Sequence, residues 1–478
     1  MRVTKASTGG SAPGGDAAAD KAARDAKRLI IAGGAADAQR EVTERQAAGA
    51  DQAEHSAEQQ AEQQAESATA GASPGAVPWN RVVLRSFNER TLLDALRAAG
   101  AASRAELART TGLSKPTVSS ALANLEQSGL VRQTGETVQQ GRGRSAVLYE
   151  ADPTAGYVLG LDIGRGWIRA AVADLDGTIV CRRDRRNTAR GAGATVHRAA
   201  ELARAAVTEA GVDAGRLIQA VVGSPGVIDP ASHRVRLAPN LPGWSGSGVF
   251  EQIRDELGVP VEVVNDANLA ALGEYAFGAG RGCRLFVYLM VGTGAGCGIV
   301  ADGKLFRGST GAAGEVGYLP MHPLPLADEA AQGAGPAHAA DPASRRGELE
   351  DAVAADAVVR LGRSFGLDDV ASAKDVFQAA RRGEAAAQAA VDHEGARLGH
   401  VVAALAAVLD PELVVLGGGV GRNTDLLVGP LEKALRGLSP LRPRIEPSAL
   451  GEDAVLLGAI ATAVEVARDH TFDTHQSQ

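Results

Sequence analysis

The sequence predicts an α/β chain with two lobes around a cleft and a small helical headpiece ahead of them. Two observations carry the prediction. Beyond Asp152-Pro153, short apolar runs ending in glycine turns alternate with long Ala-rich helical stretches, the pattern of sheets each covered by helices. Ahead of them, residues 103–150 contain two capped helices separated by a glycine turn and followed by a hairpin with a basic tip, the order of a winged helix-turn-helix.

Residues 1–78 are rich in Ala, Gln, Glu, Gly and Ser and carry no aromatic, and the stretch 53–66 is nearly repetitive. Such a segment buries too little apolar surface to offset its ordering entropy. We read 1–79 as a disordered low-complexity arm, 80–150 as the winged helix-turn-helix domain and 151–478 as the ligand-binding body.

In the headpiece, Leu92, Leu93 and Leu96 mark a first helix from about Asn88 to Ala99, with Gly100 to end it. Ser103 and Glu106 stand at capping-box spacing, and Thr111-Gly112 breaks the short helix that follows. Ser114 caps the next helix, with Pro116 in its first turn, where a missing N–H costs little. Val118, Ala121, Leu122 and Leu125 repeat at helical spacing and form its buried stripe. Lys115, Thr117, Ser119 and Ser120 lie off that stripe and are the candidates for major-groove contact. Leu130–Arg132 and Ala146–Tyr149 read as hairpin strands. Between them Gly141-Arg142-Gly143-Arg144 presents two guanidiniums, Arg142 and Arg144, suited to phosphates or a narrow minor groove. A surface helical bundle with a basic loop shares some of these features; their order and mutual agreement favour double-stranded DNA.

Net charge is −8, so no global argument for nucleic acid exists. The charge is uneven, however: residues 80–150 hold ten basic against six acidic side chains, a net of +4, on an otherwise acidic chain. That distribution fits DNA contact through the headpiece alone. The three cysteines, Cys181, Cys283 and Cys297, have no paired spacing, which fits a reducing cytoplasm. No apolar run is long enough for a bilayer. We expect a cytoplasmic protein with no membrane contact.

In the body, Tyr157–Ile163, Trp167–Ala173, Ile179–Arg182, Leu217–Gly223, Val261–Val264, Leu285–Val291 and Leu413–Leu416 read as strands. Helices are expected over about 194–210, 348–362, 371–382 and 384–408. Glycine turns at Gly164–Gly166 and Gly292–Gly298 could bring backbone amides to phosphate oxygens. A tight strand turn explains the first more simply.

The order of several strings now identifies a family. They include Leu161-Asp162-Ile163-Gly164, Gly223-Ser224-Pro225-Gly226, Ala238–Trp244 (APNLPGW), Val264–Asn268 (VNDAN), Gly311–Gly317 (GAAGEVG) and Gly417–Gly419. From about Phe87 onward the chain resembles the ROK family of repressors, open reading frames and sugar kinases, over about 390 residues. The resemblance implies an actin-like ATPase (sugar kinase-like) two-lobe fold. It implies Asn240, Asn265, Asp266, Glu315 and Glu350 as sugar contacts, with Asp266 as catalytic base if the chain is a kinase. Two departures stand out. Active members read Asp-x-Gly-Gly-Thr in the first loop, whereas here Arg165 and Gly166 replace the Gly and Thr, and Trp167 adds bulk. Zinc-bearing members carry Glu-x-Gly-His and three cysteines; here Tyr318 replaces the His, Glu348 stands where the last Cys would fall, and residues 321–347 hold no Cys. His322 and His338 alone make no tetrahedral set. We expect no metal and no cofactor.

The expectation is a DNA-binding transcriptional regulator, most simply a repressor, sensing a sugar or sugar phosphate and reading an operator as a homodimer or homotetramer. The alternative is an active ATP-dependent sugar kinase with a fused headpiece. A ligand-blind DNA-binding protein is a third reading.

Overall fold

The computed structural model describes residues 81–137, 146–229, 235–236, 243–244, 248–321 and 346–476. The arm 1–79, the wing tip with Arg142 and Arg144, Asn240, His322 and His338 lie outside them.

The headpiece opens with α1 (Arg81–Ala99), several residues longer at its start than the leucine spacing predicts. β1 (Ala102–Ser103) leads into α2 (Arg104–Thr111), where Ser103 and Glu106 cap each other's backbone amides. Gly112 ends α2 at φ 69°, a conformation open to Gly at no steric cost. In α3 (Lys115–Gln127) the Ser114 hydroxyl accepts from the Thr117 amide. β2 (Val131–Thr137) and β3 (Ala146–Ala151) form the wing hairpin, with β1 on the other edge of β3. Leu92, Leu93, Leu96, Leu107, Val118, Leu122, Leu125 and Tyr149 bury together. One member of this core comes from the far end of the chain: Phe472.

The body holds two five-stranded sheets of the same design. β4 (Tyr157–Ile163), β5 (Trp167–Asp174) and β6 (Ile179–Arg186) form a meander. After α4 (Ala192–Glu209), β7 (Leu217–Ser224) adds parallel to β4. The hairpin β8 (Val227–Ile228) and β9 (Val235–Arg236) and helix α5 (Val249–Leu257) precede β10 (Val261–Asn265), parallel to β7, and α6 (Asp266–Phe277). The second sheet repeats the scheme: β11 (Leu285–Val291), β12 (Ala295–Ala301) and β13 (Lys304–Leu305) meander. Helices α7 (Glu348–Val353), α8 (Ala355–Ser364), α9 (Ala373–Arg381) and α10 (Ala385–Leu409) follow. Then β14 (Leu413–Gly417) lies parallel to β11 and, after α11 (Gly418–Gly421) and α12 (Thr424–Leu438), β15 (Arg444–Pro447) lies parallel to β14. The C-terminal helix α13 (Ala454–Gln476) closes the described chain.

Burial explains the layering. β4 is buried on both faces along almost its whole length, as a central strand between helix layers must be. Its sheet packs α4 and α5 on one side. On the other it meets α6 and α13, which also cover the second sheet. α7 to α10 and α12 cover the second sheet's outer face. α6 and α13 cross at Gly273 and Gly458: a Cβ on Gly458 would stand 1.8 Å from the Leu269 carbonyl oxygen, and one on Gly273 2.4 Å from that of Ala454. Only glycine fits the crossing.

The structure departs from the sequence reading in two places that bear on the cleft. The expected helix 348–362 is broken at Ala354, whose backbone is extended. The break lets the Ala355 amide donate to the Gly292 carbonyl at 2.8 Å. The expected loop Gly292–Gly298 is mostly strand, because Gly296 and Gly298 belong to β12. Gly298 lets α6 approach, since a Cβ there would stand 2.5 Å from the Ala267 carbonyl oxygen. Among the described residues no helix is long and apolar enough to cross a membrane.

Candidate functional site

The two sheets face each other across a cleft, where the C-terminal ends of β4, β7, β10, β11 and β14 converge around a cavity of about 570 Å³. Ligands of α/β folds bind at such strand ends. Asn265, Asp266, Glu315 and Glu350 all line it. Asn265 caps α6: its Oδ1 accepts from the Asn268 amide at 3.1 Å and its Nδ2 donates to the Gly226 carbonyl at 3.1 Å. Part of its hydrogen-bonding capacity thus positions the Pro225-Gly226 turn, and the remainder is open to a ligand.

The carboxylates are unusual. Asp266 is pushed up to about 7, first by burial and then by the charge of Asp162. Glu315 is likewise pushed up to about 7, by burial, then Asp266, then Glu350. Buried acids crowded together cannot all ionise, so some act as hydrogen-bond donors near neutral pH. The two oxygens of Glu350 are already engaged, by Arg346 Nε at 2.7 Å and by the Ala295 amide at 3.2 Å. Tyr318, in the short turn after Glu315, joins the lining, its phenol raised by burial and then by Glu315 and Glu350.

At the other end the first glycine loop is a closed hairpin turn. The Gly164 amide donates to the Trp167 carbonyl at 2.9 Å, and Asn187 ties down the Gly164 and Gly166 carbonyls. β4 and β5 therefore pair in the register that sets Asp162 opposite Arg169. Arg169 Nη1 reaches Asp162 at 2.8 Å and its Nη2 reaches Glu452 at 3.1 Å; Glu452 also takes Arg422 Nη1 at 2.5 Å. Arg169, Glu452, Arg422, Lys374 and Tyr318 are lining residues that the sequence reading missed. The register made Arg169 findable. Glu452 and Arg422 join the site only through the fold.

The described residues do not fit the family's zinc. Cys181, Cys283 and Cys297 are buried in three different cores, and burial pushes the Cys297 thiol up to about 12. Among the described residues no cluster of His, Cys, Asp and Glu could hold a metal. Instead Arg346 ties this region: it pairs with Glu350 and, at 3.0 Å, with Asp356, and donates to the Thr293 carbonyl at 3.1 Å.

On the headpiece, Lys115, Ser119 and Ser120 are exposed along one side of α3. Thr117 is half-buried, with its hydroxyl 2.8 Å from that of Ser114. Asn124 turns to Glu89 at 2.7 Å. Glu89 is fully buried where α1 meets the end of α13, and also takes Arg85 and Gln476 at 3.0 and 2.6 Å. Arg90 pairs with Asp469 and its guanidinium stacks on Phe472. This joint between headpiece and C-terminal helix was not anticipated.

The ROK family model matches residues 158–466, and the MarR family model matches residues 86–143. The chain belongs to the ROK family. It is similar to a glucokinase of Halalkalibacterium halodurans, 34% identical over 51% of this chain and 74% of that one. It is similar also to a xylose repressor of Caldicellulosiruptor bescii, 27% identical over 80% of this chain and 97% of the relative. The crystal structure of a ROK family transcriptional regulator, a homologue of the E. coli MLC protein, superposes with TM-score 0.64 at 20% identity over 82% of this chain and 99% of that one. These findings agree with the fold: an actin-like, sugar kinase-like pair of lobes with an N-terminal winged helix-turn-helix.

Proposed function

We propose that this ROK chain is a DNA-binding transcriptional regulator, most simply a repressor, whose effector is a sugar or sugar derivative held in the cleft. One observation carries the reading: Asn265, Asp266 and Glu315 still face the cavity, while the carboxylate of the first loop is held by Arg169. A binding pocket keeps its donors and acceptors for hydroxyls. Phosphoryl transfer needs both phosphate loops and a metal in line with the hydroxyl. The likeness to a repressor along most of both chains, and the exposed side of α3, support an output on DNA. Paired headpieces, in a homodimer or homotetramer, suit an operator of two half-sites.

The test uses the full chain. Duplexes selected from a random pool are titrated by fluorescence anisotropy with and without a panel of sugars. One sugar should change operator affinity at least about tenfold, a coupling of about 1.4 kcal/mol. Replacing Arg142 and Arg144 with Ala should weaken binding to all duplexes and flatten the salt dependence by roughly one unit of slope per lost phosphate contact. Substituting Ser120 should instead change sequence preference. The kinase reading draws on Asp266, whose pKa of about 7 suits a general base. Sugar-dependent turnover of MgATP at ordinary kinase rates would replace the regulator reading with that one.

A further inference from the structure

We infer that the far end of the cleft takes the phosphate of a sugar phosphate as a bare anion, with Arg169 standing where a kinase would hold its divalent cation. The inference rests on the sugar reading of the other end.

Asp162 is the carboxylate that β4 delivers to the first turn, the place from which a metal for nucleotide phosphates would be held. A magnesium ion needs such an oxygen free. Here it is buried and paired with Arg169 at 2.8 Å across the β4–β5 ladder. The pair is internal to the hairpin, and the same guanidinium also faces Asp184 at 3.9 Å and Glu452 at 3.1 Å. A divalent cation does not fit while that guanidinium is in place.

The surroundings are cationic beyond what this pair needs. Arg165, Arg169, Lys374 and Arg422 line the cleft with Asp162 and Glu452, and Asp184 lies 3.9 Å from Arg169 behind them. Arg165 and Lys374 make no salt bridge or side-chain hydrogen bond among the described residues. Guanidiniums in this number recognise phosphate oxygens through paired N–H donors. MgATP brings its own cation, and at this end Asp162 is held by Arg169 and Glu452 by Arg169 and Arg422.

Glu452 gives the site its second property. Its carboxylate bridges Arg169 at 3.1 Å and Arg422 at 2.5 Å, yet its side chain is 59% exposed. It is an internal anion in the place an incoming phosphate needs. A phosphate monoester displaces it and takes over both guanidiniums. No bond is made or broken, so the exchange is reversible binding.

The experiment is calorimetry on the full chain with glucose 6-phosphate, mannose 6-phosphate and pyrophosphate, each in EDTA and again in excess Mg²⁺, beside the unphosphorylated sugars and MgATP. At least one phosphate probe should bind in EDTA, with affinity unchanged or lowered by Mg²⁺. Arg422→Ala should weaken that probe about tenfold. Glu452→Gln, at an exposed position that the fold tolerates, should tighten it several-fold; loss of a merely structural ion pair would not. Binding of the probes only with Mg²⁺, or MgATP binding more tightly than any of them, overturns the inference. If a plain sugar binds and no phosphate probe does, the inference fails while the sugar reading stands. A probe bound in EDTA with no response to any plain sugar leaves the anion site standing and removes the sugar reading.

Discussion

At one end of the cleft Asp266, Glu315 and Glu350 crowd together with Arg346 as the lining cation beside them. At the other, four cationic side chains outnumber Asp162 and Glu452. Both ends combine turns at strand ends with residues from helices and loops, and the two sheets share one topology. The backbone therefore does not distinguish them; side chains do. The acidic end keeps the groups that can hydrogen-bond hydroxyls. At the basic end the Asp162 carboxylate is taken up in an ion pair with Arg169. The contrast between the two ends thus rests on one cross-strand arginine and a closed turn, without any change of fold.

The sharpest way to break this contrast is at Asp266. Asp266→Ala should lower affinity for the effector sugar about 100-fold, because a hydrogen bond to a charged or strongly polarised group contributes roughly 1.5–3 kcal/mol. Calorimetry with the unphosphorylated sugar measures it, and unchanged affinity would remove Asp266 from the site. The basic end can be probed in the opposite sense. Restoring Gly at 165 and Thr at 166 should leave MgATP binding undetectable while Arg169 holds Asp162, and adding Arg169→Ala should make it measurable. Rescue by the loop changes alone would place the defect in the turn.

A smaller effect should appear with pH. Asp266 and Glu315 are both raised to about 7 in the fold, against about 4 for free carboxyls. The folded state therefore binds more protons than the unfolded state between about pH 4 and 7. Stability from these groups is fully present below the lower value and is lost as pH rises through the upper one. Thermal unfolding of the ligand-free chain should show a decline of at least about 1 kcal/mol across that window. Asp266→Asn should flatten it, and an equally steep profile in the variant would assign the slope to other groups. The smallest expected change is with chelator: EDTA should not move Tm, and elemental analysis should find no stoichiometric zinc.

Much of this was legible in the chain itself. Capping residues wrote the headpiece: Ser103, Glu106 and Ser114 act locally, and the structure shows each in that role. The strands were legible because central strands are continuous apolar runs. The Gly164–Gly166 turn was read as a strand turn, and it is one. Asn265, Asp266, Glu315 and Glu350 were named as sugar contacts from motifs, and they line one cavity. The failures share a cause. β12 was hidden because its glycines and alanines serve helix approach and look like loop residues. The break at Ala354 answers a carbonyl 62 residues earlier, at Gly292. Glu452 reaches Arg169 across 283 residues, and no local pattern encodes such a meeting.

α13 begins two residues after Glu452 and ends inside the headpiece core. Between its crossing point at Gly458 and Phe472 lie about 14 residues, or about 21 Å of helix. It is a rigid arm with its short end in the cleft and its long end under the DNA-binding unit. A rotation of about 5° at the glycine crossing would carry Phe472 through about 2 Å, enough to disturb contacts whose useful range is a fraction of that distance. A rotation there would pivot at the glycine pair, and the length of helix beyond it would set how far Phe472 travels.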